Sequence, residues 1–75
     1  MITAFVLITT KAGKEKEVKE LLEKYEQVKE VQIVYGDFDM VAKIEAKTMD
    51  ELNNVILDKV RNIPEISITS TLVSS

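Results

Sequence analysis

The chain has 75 residues, a formal net charge of -3, and neither cysteine nor histidine. Those properties allow one small domain, exclude disulfide staples and the usual zinc sites, and remove the commonest general base. The acidic balance argues against a direct nucleic-acid surface, and no apolar run nears the ~20 residues of a bilayer span, so a soluble, cytoplasmic protein without metal or cofactor is expected.

Residues 2–9, ITAFVLIT, are β-branched and aromatic and predict a first strand, broken by Lys11-Ala12-Gly13. Val18, Leu21, Leu22 and Tyr25 then recur at i, i+3, i+4 and i+7, the apolar stripe of a helix whose other face carries Lys and Glu. A second strand is expected over about 28–35 and a third over about 39–46, joined by Tyr35-Gly36-Asp37-Phe38-Asp39. Thr48 and Glu51 have the spacing of a capping box, which marks a helix start. Leu52, Val55, Ile56, Val60 and Ile63 continue with helical period until Pro64, which supplies no amide donor and ends the helix. Residues 66–73 complete the pattern as a fourth strand.

The order βαββαβ, closed by right-handed crossovers, predicts an α+β ferredoxin-like plait. It has a four-stranded antiparallel sheet with both helices on one face, as in the dimeric α+β barrels. The first and third strands are central in that arrangement.

Strand phase divides the residues between two faces. Ile2, Ala4, Val6 and Ile8 are expected to meet the helices, as are Met40, Ala42 and Ile44 of the third strand and Ile66, Ile68 and Leu72 of the fourth. The open face would then hold Thr3, Phe5, Leu7 and Thr9, with Asp39, Val41, Lys43 and Glu45 on one side and Ser67, Thr69, Thr71 and Val73 on the other. An apolar centre on a water-facing sheet predicts a homodimer in which two sheets meet, with Phe5, Leu7, Val41 and Val73 in the interface. A core this small calls for such support. Phe5 and Leu7 can also be read as scattered surface hydrophobes.

The same phasing puts Asp39, Thr69 and Thr71 on one face, where a carboxylate and hydroxyls could hold the two ends of a free amino acid. The first strand separates them by roughly 10 Å, so a shared ligand would sit between subunits. Gly36 and Asp37 are equally explained by turn geometry, and the threonines by β-propensity.

G-D-F-D in the middle hairpin, V-R-N-I-P-E-I before the last strand and T-S-T within it, all in a βαββαβ frame, resemble the RAM domain. That is the effector-binding module of Lrp/AsnC transcription regulators, and the resemblance covers essentially the whole chain. It implies sheet-to-sheet dimers that assemble further, with amino-acid effectors held between dimers near the hairpin. It also implies ligand contacts from Tyr35, Gly36, Asp37, Phe38 and Asp39. Amides around Gly36 would meet the carboxylate, Asp39 the ammonium, and Thr69 and Thr71 would add hydroxyls. Family regulators carry a helix-turn-helix domain ahead of this module, whereas here Met1 adjoins the first strand. The expectation is therefore a stand-alone, non-enzymatic sensor whose link to transcription is either indirect, through co-assembly with full-length Lrp/AsnC regulators, or absent.

The alternative is a dimeric α+β barrel enzyme with a cavity on the sheet side. Without histidine or cysteine, only acids, Tyr25 or Tyr35 would remain for proton transfer. An ACT-type regulatory domain shares the element order, but its glycine loop follows the first strand, where Gly13 stands here.

Overall fold

The computed structural model describes residues 1–74. β1 (Ile2–Thr10) is the longest strand, and its Ala4, Val6 and Ile8 are fully buried while Phe5 on the opposite face is exposed. At Gly13 the backbone reaches φ +78°, which residues with a Cβ rarely adopt, and the chain turns into α1 (Glu15–Glu23). Val18 and Leu22 of α1 are buried, and Leu21 and Tyr25 pack partly against the same core. The chain continues through β2 (Val28–Ile33), β3 (Met40–Ala46), α2 (Met49–Val55) and β4 (Ile66–Val73).

All strand pairings are antiparallel, in the order β2-β3-β1-β4, so the expected plait is found with β1 and β3 inside. Among the described residues no helix is long and apolar enough to cross a membrane.

The start of α2 follows from its sequence. Thr48 Oγ1 accepts the Glu51 N–H at 3.1 Å, as a capping box requires. The reciprocal reach goes one residue further back, because the Lys47 N–H, rather than that of Thr48, donates to Glu51 Oε1 at 2.6 Å. α2 then widens into a single π-helical turn, Ile56–Val60, in which the Arg61 N–H donates to the Ile56 carbonyl at 2.9 Å. That turn lets Val55 and Val60 both enter the core although they stand five positions apart. Ile63, expected inside the helix, is buried just beyond it in the turn before Pro64.

One expectation about the sheet is overturned. Thr10 pairs with Ile66, yet Thr9 pairs with Ile68, so Ser67 has no partner and forms a bulge. The extra residue reverses the phase of everything after it. Thr69, Thr71 and Val73 pair with Ile8, Val6 and Ala4, and therefore share the helix side with those buried residues. Ile68, Ser70 and Leu72 turn to the open face instead, beside Thr9, Leu7 and Phe5. The open face keeps Phe5, Leu7 and Val41 as expected, loses Val73, and gains Ile68 and Leu72, which are 60% and 55% exposed. Lys43 and Glu45 lie on this face and form an ion pair at 3.8 Å.

Candidate functional site

The loop between β2 and β3 is closed by the Val34 N–H donating to the Asp39 carbonyl at 2.9 Å. Within it Gly36 adopts φ +128°, a backbone region that a Cβ would strain, although the space around it is open. Tyr35 is completely exposed, Asp37 is exposed, and Phe38 and Asp39 are half-buried. Among the described residues, no partner covers the large side chain of Tyr35.

Asp39 is the best-anchored residue of the loop. Its N–H donates to the Ile8 carbonyl at 2.9 Å, and its Oδ2 accepts the Thr10 N–H at 2.9 Å. Thr10 has run past the start of β3, so no strand carbonyl is opposite its amide. The Asp39 carboxylate takes that acceptor's place. Asp39 thus clamps the hairpin to the end of β1 rather than projecting from the open face as strand phase predicts.

Beside this clamp lies a cleft of about 380 Å³ lined by Glu15, Lys16, Ile33, Val34, Tyr35 and Asp39. It is within the size range of small-molecule pockets. Lys16 offers a cation, Glu15 and Asp39 offer carboxylates, and Ile33 and Val34 form an apolar wall. The turn at Gly13 is what brings the first turn of α1 alongside the hairpin.

Of the residues singled out in the sequence, the structure brings Tyr35 and Asp39 into one cleft. Gly36, Asp37 and Phe38 form the loop without lining it. Thr69 lies in a separate cleft of about 330 Å³ with Arg61, Ile66, Ser67 and Ile68, and Thr71 lines neither. β1 stands between Asp39 and the threonines, and they do not come together on the open face as expected. Glu15, Lys16, Ile33 and Val34 were missed. Ile33 carries the one available signal, an apolar residue at a strand's end that is 43% exposed on the helix side.

The opposite end of the molecule holds a smaller cleft of about 140 Å³. There Glu51 Oε2 accepts the Gln27 Nε2 at 3.4 Å. The Lys47 N–H, and then Gln27, hold the Glu51 carboxyl below the usual glutamate range.

The chain is a small α+β domain with a cleft beside its middle hairpin, and comparison with known proteins gives its family. The chain belongs to the Lrp/AsnC ligand binding domain family, whose family model matches residues 3–75. It is 47% identical over 70 residues to the HTH-type transcriptional regulator FL11 of Pyrococcus abyssi, covering 93% of this chain and 46% of that protein. The chain thus spans about half the length of the curated relatives it matches. The crystal structure of FFRP-DM1 superposes with a TM-score of 0.97 at 45% identity, over 100% of both chains. A regulator of Neisseria meningitidis, NMB0573, solved as a complex with L-Met, shares the fold at a TM-score of 0.85 and 14% identity, over 99% of this chain and 49% of that one.

Proposed function

We propose that this domain senses a free amino acid and passes that signal to transcription without catalysing a reaction. The observation that carries the reading is the cleft between the β2–β3 hairpin and the start of α1. A zwitterion needs an anionic and a cationic contact a few ångströms apart, with room for a side chain. Asp39 or Glu15, Lys16, and the wall of Ile33 and Val34 supply all three.

The roles follow from what each group has left to give. Asp39 Oδ2 is committed to Thr10, so Oδ1 is the oxygen available to an ammonium. Lys16 faces a carboxylate. Tyr35, fully exposed in the single chain, closes over the ligand or packs on a neighbouring subunit that completes the cleft. Thr69 and Thr71 take no part in this half-site, since β1 stands between them and Asp39.

The open face, with Phe5, Leu7, Val41, Ile68 and Leu72, forms the homodimer. Full-length regulators of the family build the same sheet, so mixed dimers with them are the route by which the domain affects transcription. Copurification of a tagged full-length relative with this chain, abolished by Leu7→Asp, supports that route.

Calorimetric titration against each of the twenty amino acids tests the sensing itself. Millimolar or tighter binding of at least one is expected, and both Lys16→Ala and Tyr35→Ala should weaken it while leaving the thermal midpoint unchanged. If no amino acid binds, or if neither variant alters the affinity, the site is not an effector site.

A further inference from the structure

Two carboxylates, Glu15 and Asp39, and one ammonium, Lys16, line the cleft beside the hairpin, so it carries more negative than positive charge. An amino acid with a neutral side chain brings one charge of each sign. Bound through Asp39 and Lys16, it leaves the Glu15 carboxylate with nothing to meet. Glu15 is half-buried, and among the described residues its carboxylate has no ion-pair partner. The nearest lysines and glutamates of α1 pair with one another instead, Lys14 with Glu17 at 3.6 Å and Lys19 with Glu23 at 3.8 Å.

We propose that the cleft selects amino acids with a cationic side chain, such as lysine, ornithine or arginine, and that Glu15 reads that charge. The selectivity rests on the cleft being an effector site, and it narrows the ligand from any free amino acid to one chemical class.

The two carboxylates divide the work according to how each is held. The Asp39 N–H donates to the Ile8 carbonyl at 2.9 Å, and its Oδ2 accepts the Thr10 N–H at 2.9 Å. A carboxylate fixed in this way suits the α-ammonium, which every amino acid carries at the same place. Glu15 stands in the first turn of α1 on a longer side chain that nothing pins, so it can follow ligand side chains of different length.

The apolar wall runs along the same cleft. The register shift between Val28 and Glu30 turns Val31 and Ile33 to the helix side, opposite Ala42 and Met40. Val31 is buried there, while Ile33 at the strand's end stays open to the cleft with Val34. The stem of lysine or arginine is apolar and only its tip is charged, so it can lie along this wall while the head meets Glu15. A neutral side chain would strip water from Glu15 and return no donor, which is costly for a charge. An acidic side chain is worse, because it adds a carboxylate to a cleft that offers one lysine.

Norleucine has the carbon stem of lysine without the terminal ammonium, so the ratio of the two affinities isolates that group. Calorimetric titration of the whole chain should show lysine binding about tenfold tighter than norleucine or more, with glutamate weakest. Glu15→Gln keeps the shape and removes the charge, and it should bring lysine within about threefold of norleucine. Norleucine's own affinity should not change, which separates the reading of charge from a disturbed helix start. Glu15→Lys reverses the charge and should bind glutamate better than lysine. The proposal is overturned if the wild type binds norleucine as tightly as lysine, if Glu15→Gln leaves their ratio intact, or if Glu15→Lys still prefers lysine. Amino-acid sensing stands in each of those cases. Failure of every amino acid to bind removes the sensing itself, and the selectivity with it.

Discussion

Asp39 joins two elements through one carboxylate, and its removal should be costly for that reason. Asp39→Ala leaves the Thr10 N–H without its acceptor beside Thr10's buried side chain. A charged hydrogen bond of this kind contributes about 1–3 kcal/mol, and urea unfolding should show a loss in that range. Asp39→Asn keeps an oxygen in place and should lose less. Ligand binding is therefore better probed at Lys16 and Tyr35, where no fold contact is at stake. At the other end of the molecule Glu51 gives a pH signature. Its carboxyl is held below the ordinary glutamate range, chiefly by the Lys47 N–H, so the charged form is favoured by folding. That contribution is complete above the ordinary glutamate value and is lost as pH falls through the lower folded value. Thermal midpoints measured from neutral pH down through the carboxylate range should fall less steeply in Glu51→Gln than in the wild type. Thr48→Ala, which removes the other half of the cap, should cost about 1 kcal/mol at neutral pH.

At the scale of elements, most of the architecture could be read from periodicity. Period two in residues 2–9 places the strand and helical spacing from Val18 to Leu22 the helix, though Tyr25, the last of the stripe, lies just beyond the end of α1, and Thr48 with Glu51 marks the start of α2 to the residue. The stripe on α1 makes its own prediction: Leu22 is fully buried, and Leu22→Ala should remove about 2–5 kcal/mol, much of the ~5–15 kcal/mol available to a domain of this kind. A chemical denaturation curve measures that loss directly. β4 was misread for a physical reason. Ile66-Ser67-Ile68 alternates perfectly as a sequence, and nothing local marks Ser67 as the extra residue, because the bulge arises from how Thr9 and Thr10 meet the strand. The candidate site was half legible. The glycine and acids of the hairpin announce themselves, but Glu15 and Lys16 look like any solvated helical turn. Only the packing of α1 against the sheet brings them to Tyr35 and Asp39.

The molecule as a whole spends much of its apolar surface outward. Leu7 sits between Val41 and Ser70 at the middle of the open face, with Phe5 and Leu72 one step along. A charge introduced there would have to be desolvated among apolar side chains for the sheets to meet, so Leu7→Asp should weaken self-association by roughly tenfold to a hundredfold, as sedimentation velocity over a dilution series would show. The same series should show the wild-type protein losing thermal stability on dilution, because a domain whose interface supplements its core is only as stable as its concentration allows.

The register shift in β2 bears on what such a protein becomes at high concentration. A sheet with two equally receptive edges can accept copies head to tail, and that addition has no natural end. Lys29, Glu30 and the break between Val28 and Glu30 make one edge unreceptive. Strand addition at the β2 edge is thereby discouraged, and open-ended growth into fibrous polymers, which needs both edges of the sheet, is disfavoured although β4 is a bare eight-residue strand.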